Sequence, residues 1–137
     1  MALRRLRRTP VHKSRLAGFI IDCQTDDLDA AGRFWSLALG YPLKKSAAAE
    51  DSKYKLLDTP SDDLHIEVQA VDHPSRVHLD IEADDIEAEV KRLEKLGAKR
   101  VTSVHTWVVM EAPTGQRFCV VRVQRSDFAE NANTWAD

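Results

Sequence analysis

The chain has 137 residues, of which 43% are hydrophobic, and its formal charge at pH 7 is -2, a combination typical of one soluble globular domain. No apolar run approaches the roughly 18 residues that a membrane-spanning helix requires, and the first residues, MALRRLRR, lead into TPVHK instead of the apolar stretch of a signal peptide. We therefore predict a cytoplasmic protein that has no membrane partner.

The N-terminal segment is the most basic part of the chain. Six Lys or Arg residues and no acidic residue come before residue 16, which predicts a basic arm over residues 1–15. Such an arm could contact nucleic acid, but no aromatic side chain is interleaved with its arginines to stack on bases. In addition, the remainder of the chain is acidic. Nucleic acid is therefore not the expected partner.

After the arm, a strand followed by a helix occurs twice. Asp26–Leu28, at the start of the first helix, correspond to Asp84–Ile86 at the start of the second. An aspartate can cap each helix start, and a glycine, Gly40 or Gly97, can end each helix in the left-handed conformation. The apolar face of the first helix consists of Leu28, Ala31, Phe34, Trp35 and Ala38, and that of the second of Ile86, Val90, Leu93 and Leu96. We predict that both faces pack in the core, aromatic residues included.

Each helix is followed by three short stretches with the composition of strands. In the first unit these are Pro42–Ser46, Lys53–Asp58 and Leu64–Ala70, and in the second they are Lys99–Val104, Thr106–Ala112 and Arg117–Gln124. The tetrapeptide PTGQ before the last strand is typical of a tight turn, in which Gly115 can take a positive φ. The order is therefore β-α-β-β-β, twice.

This order predicts an α+β domain over residues 16–125, with unit one at 16–72 and unit two at 73–125. One such unit leaves a sheet face uncovered, whereas two can curl their mixed and antiparallel sheets toward each other and enclose a cavity. Residues 126–137 form a tail without a clear period, which is either frayed or docked through Phe128 and Trp135.

The order of motifs resembles that of a known family. A strand ending in IDC, a helix DDLxAAxxFW, the strand HLDI before a second helix, and the hairpin PxGxxFCV are similar to the glyoxalase-like proteins of the vicinal oxygen chelate superfamily. The resemblance covers roughly residues 16–123 and implies the vicinal oxygen chelate fold and a homodimer. It does not imply one reaction, because the superfamily includes glyoxalases, epimerases, dioxygenases, transferases and binding proteins that catalyse nothing.

Strand alternation sorts the side chains into an apolar and a polar face. The apolar set, which should lie under the helices, consists of Phe19, Ile21, Cys23, Leu64, Ile66, Val68, Val77, Leu79 and Ile81. The polar set consists of Asp22, His65, Glu67, His78 and Asp80. Such a set can bind a metal, exchange protons or hold a polar ligand, or it can be the solvated side of an antiparallel sheet. The resemblance implies that this face lines the cavity.

In metal-using relatives, one residue on each of four strands holds a divalent ion that chelates two neighbouring substrate oxygens. The resemblance places these positions at Ile20, Glu67, His78 and Cys119. Isoleucine cannot bind a metal, and the soft sulfur of Cys119 suits zinc better than the ions expected beside carboxylates. The usual metal site therefore looks incomplete.

Three interpretations of this site stay open. In the first, no cofactor is bound, and Glu67 and His78 are acid–base or ligand-binding groups. In the second, Glu67, His78 and Cys119 hold a zinc ion with one open position. In the third, His65 or Asp22 replaces a missing ligand, and the site holds a divalent ion such as zinc, manganese, nickel or iron.

The expected function is the binding of a small molecule, of a sequestering or resistance type, with a metal-dependent lyase or isomerase as the alternative. Glu67 and His78 are the candidate catalytic residues. The candidate ligand-binding residues are Asp22, His65, Asp80, Trp107 and Cys119. His105 could also reach the cavity, whereas His73 is expected to be exposed in the linker between the units. Cys119 is not expected to be a nucleophile, because a buried thiol without a cationic neighbour stays protonated.

Overall fold

A computed structural model describes residues 11–45 and 53–136 of the chain. The first unit consists of β1 (Val11–Gln24), α1 (Leu28–Leu39), β2 (Tyr54–Leu56) and β3 (His65–Val71). The second consists of β4 (Arg76–Ala83), α2 (Ile86–Lys95), β5 (Lys99–Val104), β6 (Trp107–Glu111) and β7 (Arg117–Arg122). A short helix, α3 (Phe128–Asn131), and a last strand, β8 (Asn133–Ala136), complete the chain. The predicted α+β class is confirmed, and the second unit has the predicted order β-α-β-β-β, whereas the first has one strand fewer among the described residues.

The strands of the described residues form one curled, open, mixed sheet of 8 strands. Their order is β2-β3-β1-β4-β7-β6-β5, and β8 lies beside the start of β1. The strands β1 and β4, which open the two units, pair antiparallel at the centre. Each then pairs in parallel with the last strand of its own unit, β1 with β3 and β4 with β7. The two units therefore lie side by side, and the central strands carry the residues where they meet.

Local sequence signals set the helix ends. The carboxylate of Asp27 accepts a hydrogen bond from the Ala30 N–H at 3.1 Å, and that of Asp85 accepts one from the Ala88 N–H at 3.0 Å. Gly40, with φ 80°, ends α1 in the left-handed conformation that a side chain would disfavour. The predicted capping residues are thus confirmed.

The main core lies between α2 and the sheet of the second unit. Its buried residues are Ala83, Val90, Leu93, Val108, Met110 and Val120. The apolar face predicted for α2 is confirmed at Val90 and Leu93, which are 0% and 8% exposed. Leu96 is 66% exposed, because it lies past the last turn of the helix.

Besides Leu96, four residues assigned to the core from their spacing are exposed, and one of them is Ala38 of α1. Phe34 of α1 is 60% exposed, and Val77 and Leu79 of β4 are 58% and 45% exposed. The reason is where the helices sit: α1 packs on β2 and β3, and α2 contacts β1, β4, β5, β6 and β7. The helix-side face at the start of β4 therefore has no helix over it among the described residues.

The first strand predicted after α1, Pro42–Ser46, is not a strand. In the described part of this segment, residues 42–45, the ladder is limited to one antiparallel bridge between Leu43 and Leu57. Two backbone hydrogen bonds flank it, from the Lys44 N–H to the Leu56 carbonyl at 2.8 Å and from the Asp58 N–H to the Pro42 carbonyl at 2.7 Å. Ser46 lies outside the described residues.

The two ends of the described chain pack against each other. The strand β1 starts at Val11, within the segment that the sequence assigned to the arm, and β8 pairs with Val11–Ser14. The indole N–H of Trp135 donates to the Ser14 hydroxyl at 2.8 Å, and Phe128 is 5% exposed. Of the two alternatives that the sequence left open for the tail, frayed or docked, the docked one is therefore confirmed. None of the helices in the described ranges is long and apolar enough to cross a membrane.

Candidate functional site

The inward faces of the strands line a cavity of about 710 Å³. Strand alternation predicted its polar floor, because Asp22, Glu67, His78 and Asp80 all line it. Cys119 and Trp107, two further candidates, line it as well. His65 is not part of the lining, but its imidazole Nε2 lies 2.8 Å from Glu67 Oε1.

The strand pairing arranges the floor in rows that run across the sheet. Gly18 of β1 lies between His65 and Asp80, and Asp80 is in turn opposite Cys119. In the next row Ile20 lies between Glu67 and His78, and in the third Asp22 lies between Gln69 and Arg76. Gly18 is required in the first row because a Cβ atom there would lie 1.7 Å from the His65 carbonyl oxygen.

A buried carboxylate, an imidazole and a second carboxylate form the centre of the floor. The Nδ1 atom of His78 lies 2.7 Å from Asp22 Oδ2, and its Nε2 lies 3.6 Å from Asp80 Oδ1. Asp22 and Asp80 are 2% and 5% exposed. With Nδ1–H donating to Asp22, the lone pair of Nε2 is directed toward Asp80 and the cavity.

One oxygen of each of these two carboxylates lacks a hydrogen-bond partner. Oδ1 of Asp22 and Oδ1 of Asp80 are both buried and unsatisfied in the described structure. A buried carboxylate oxygen without a partner is costly, because it has lost its water and gained nothing in exchange. These two oxygens can therefore accept a further partner, such as a proton, a hydrogen-bond donor of a ligand or a cation.

Burial raises the pKa of Asp80 to about 7. The nearby His78 lowers this pKa, and the negative charge of Glu67 raises it further. Burial, followed by the charges of Asp80 and Asp22, raises the pKa of the Cys119 thiol to about 12. Without a cation beside it, the thiol is therefore protonated near neutral pH.

The lining also contains half-buried aromatic side chains and exposed basic side chains. The aromatic residues are Tyr54, Trp107 and Phe118, and the basic ones are Lys53, Arg76 and Arg117. Arg76 reaches Asp22 through Nε at 3.4 Å and is 46% exposed, and Arg117 bonds Glu111 at 3.0 Å and is 40% exposed. His105, with φ 50°, lines the cavity with its ring 5.5 Å from that of Trp107. His73, expected to be exposed, is half-buried in the lining.

Sequence reasoning missed the basic residues of this lining and its aromatic residues other than Trp107. Alternation along β4 could have found Arg76, which shares a face with His78, and along β7 it could have found Arg117, which shares a face with Cys119. Lys53 and Tyr54 had no such signal, because β2 is only three residues long.

The four metal positions implied by the family resemblance do line the cavity, but they do not form a complete donor set. Ile20 is 4% exposed and offers no donor atom. Within residues 11–45 and 53–136, one group of three side chains could hold an ion, and its members are His78, Asp80 and Cys119. Their donor atoms lie within 4.8 Å of one another. Glu67 is not part of this group.

Comparisons with known proteins agree with the fold. A family model described as "Glyoxalase-like domain" matches residues 18–121. The crystal structure of methylmalonyl-CoA epimerase from Mycobacterium tuberculosis is similar with a TM-score of 0.58 and 18% identity, over 83% of this chain and 91% of that one. Hypothetical protein BH1468 from Bacillus halodurans C-125 is similar with a TM-score of 0.55 and 14% identity, over 82% of this chain and 98% of that one. No curated protein matches the chain.

Proposed function

The chain belongs to the glyoxalase-like domain family of the vicinal oxygen chelate superfamily, and from that premise we propose that it binds a small molecule with an anionic end in the cavity between its units. The observation that carries this proposal is the division of the cavity into three chemically different zones. A volume of about 710 Å³ lies within the range of small-molecule sites.

The three zones define the chemistry of the ligand. The exposed basic side chains of Lys53, Arg76 and Arg117 favour a carboxylate or phosphate. The aromatic walls favour an apolar or planar body, because rings contribute large contact area at little entropic cost. The floor, with its unsatisfied carboxylate oxygens, favours a hydrogen-bond donor or a cation at the far end. A ligand of opposite polarity would place its charge against buried acidic groups.

Paired ligands test this proposal. We would measure the affinity of carboxylates and of the matching uncharged amides, such as benzoate with benzamide and pyruvate with pyruvamide, by calorimetry. We expect only carboxylates to bind, and we expect Arg76→Gln or Arg117→Gln to weaken them about 10-fold, because each removes a charge-assisted contact. Arg33→Gln, on the exposed side of α1, is the control. Equal binding of acids and amides would contradict the proposal.

A second candidate function is that of an isomerase or lyase that moves a proton on the bound molecule. The observation that favours it is that both candidate catalytic residues face the cavity and are held by an outer partner. Glu67 is held by His65 at 2.8 Å, and His78 by Asp22 at 2.7 Å. Such partners fix the orientation of a proton-transfer group. A divalent ion, where a relative binds one, stabilises the resulting oxyanion.

Isotope exchange separates the two candidates. A carboxylate found to bind would be incubated with the protein in deuterated water, and exchange of the hydrogen next to its carbonyl would be followed by NMR. If the chain is an enzyme of this class, exchange should be catalysed and Glu67→Gln should abolish it while binding persists. Binding without any catalysed exchange would contradict the enzymatic function and support the binding function.

Three further expectations are part of the proposal. The exposed apolar residues Val77 and Leu79 of β4 support a homodimer, which sedimentation of the wild type and of Leu79→Lys would test. A cytoplasmic location can be tested by cell fractionation. A sequestering role in resistance predicts that overproduction raises tolerance to the ligand even in a variant without catalysed exchange.

A further inference from the structure

We propose that His78, Asp80 and Cys119 bind a divalent transition-metal ion, best matched by zinc, and that Asp22 is the positioning residue that orients His78. This site shares His78 and Cys119 with the family's four positions. In place of the other two family positions, Glu67 and Ile20, it uses Asp80. The proposal goes beyond ligand binding in the cavity and does not depend on it, since the ion can be assayed alone.

The three donors converge because of the strand pairing. Asp80 of β4 and Cys119 of β7 are direct partners in the parallel ladder, so their side chains start from neighbouring positions on the same face. His78 precedes Asp80 by two residues and therefore points to the same side. All three residues belong to paired strands near the centre of the sheet, and a site on such elements is held more rigidly than one on loops.

The spacing of the donor atoms fits a tetrahedral ion. Ligands at about 2.0–2.3 Å from a zinc ion lie about 3.3–3.8 Å from one another. The distance between His78 Nε2 and Asp80 Oδ1 is 3.6 Å, too long for a hydrogen bond and within this range. One donor atom from each of the three residues lies within 4.8 Å of the other two. Three protein ligands leave one position open toward the cavity.

The unsatisfied carboxylate oxygen of Asp80 is an independent indication that a cation or another partner binds here. Asp80 is 5% exposed, and its Oδ1, the atom that faces His78 Nε2, has no hydrogen-bond partner. Glu67 and Asp22 add two further carboxylates around it, whereas His65, His78 and Arg76 are the cationic or potentially cationic groups nearby. A divalent cation would offset the cost of bringing these carboxylates together away from water.

The contact between Asp22 and His78 is the kind that supports a metal ligand. A ligating histidine commonly donates its other ring N–H to a carboxylate, which fixes the tautomer and the ring orientation. Asp22 Oδ2 occupies this place, 2.7 Å from His78 Nδ1. With sulfur, nitrogen and oxygen donors together, zinc fits better than magnesium or calcium, which take oxygen ligands. In the second candidate function, this assignment leaves Glu67 as the proton-transfer residue.

Zinc titration of defined variants tests the site. Chelator-treated protein would be dialysed against buffered Zn²⁺, and bound zinc measured by elemental mass spectrometry, with circular dichroism as the check on folding. We expect the wild type to bind about one zinc per chain. Asp80→Asn and Cys119→Ser should each lower the affinity for zinc by at least about 100-fold. Asp22→Asn should lose about 10- to 100-fold, as expected for a positioning residue.

Two matched variants separate this site from the family's. Glu67→Gln should retain zinc, because Glu67 is outside the proposed donor set, and Cys23→Ser should retain it because Cys23 is not among the three donors. Loss of zinc in Glu67→Gln with retention in Asp80→Asn would place the ion at the family positions and overturn the proposal. A wild type that binds no zinc would overturn it as well.

A measurement on the wild type keeps the test valid if variants fail to fold. The chain has two free cysteines among its described residues, Cys23 and Cys119. Alkylation of each would be followed by peptide mass spectrometry under mild denaturation, with and without zinc. Zinc should slow alkylation of Cys119 and leave Cys23 unchanged. Protection of neither cysteine, or equal protection of both, would contradict the site.

Discussion

Replacing Glu82 with glutamine should destabilise the protein strongly, although the shape of the side chain is retained. Glu82 is 0% exposed and follows His78 and Asp80 on the same face of β4. Its Oε1 accepts hydrogen bonds from the backbone N–H groups of Gln124 and Arg125 at 2.7 and 3.0 Å. Its Oε2 accepts from Arg15 Nε and Arg125 Nε at 2.8 and 3.1 Å. Glu82 thus anchors the chain after β7, including Gln124 of the cavity lining.

The magnitude follows from these four donors. A glutamine has one acceptor oxygen, and its amide NH₂ is itself a donor. In either orientation, two of the four donors would face the NH₂ group. The side chains of both arginines are only 10% exposed, so solvent cannot replace the lost acceptor. Breaking a buried pair of this kind costs about 3–5 kcal/mol. The melting temperature should therefore fall by about 10 °C or more.

The effect should also depend on pH in a defined direction. Burial pushes the pKa of Glu82 up, but hydrogen bonds from Gln124, Arg125 and Arg15 outweigh it, and the pKa ends below its ordinary value. A carboxyl group with a lowered pKa contributes stability above its unfolded pKa of about 4.3 and loses it as the pH falls through the folded pKa. The difference between wild type and variant should be full at pH 7 and shrink below about pH 4.3.

Urea unfolding at a series of pH values measures this difference. The control is Glu94→Gln, which removes a charge from the exposed side of α2 and should change the free energy of unfolding by less than about 0.5 kcal/mol. A loss below about 1 kcal/mol in Glu82→Gln at pH 7, or a loss that stays constant under acid, would refute the reasoning.

Three further changes test other parts of the structure. Gly18→Ala should cost about 3 kcal/mol in urea unfolding, because its Cβ would lie 1.7 Å from the His65 carbonyl oxygen; Gly32→Ala, whose Cβ would meet only side chains at 3.3 Å, is the tolerated control. Trp135→Ala should cost about 2 kcal/mol, because it removes the bond to Ser14 and the stacking of Arg92 at 3.9 Å; unchanged stability would contradict docking of the tail. Ile20→His in a Cys119→Ser background should gain nickel binding by calorimetry, since residue 20 lies between Glu67 and His78; no gain would show that residue 20 is not what leaves the family positions incomplete.

The features that the sequence predicted correctly depend on neighbours along the chain. Helix caps such as Asp27 and Asp85, and the left-handed glycines, are decided within four or five residues. The polar side of the floor follows from alternation along single strands, so His78 and Asp80 could be placed on one face before any pairing was known. Both kinds of signal are complete within one element.

The features that failed depend on how elements meet. Phe34 has the spacing of a core residue, but α1 sits on β2 and β3 and leaves that side chain in solvent. The segment around Leu43 has the composition of a strand, but among the described residues it forms only one bridge, between Leu43 and Leu57. In each case the local pattern was right about polarity, and contacts between distant segments decided whether the residue was covered.

The candidate metal group illustrates the same limit at the functional site. Family motifs pair Cys119 with His78 and Glu67, because motifs record which strand a residue occupies. The pairing of β4 with β7 decides which residue faces Cys119, and that residue is Asp80. Because Ile20 offers no ligand in the row of Glu67, an ion held by His78 and Cys119 would gain a third donor by lying toward Asp80, whose buried Oδ1 has no hydrogen-bond partner in the described structure. An isoleucine at position 20 therefore does not by itself exclude a metal site, because the proposed donor set does not use that position.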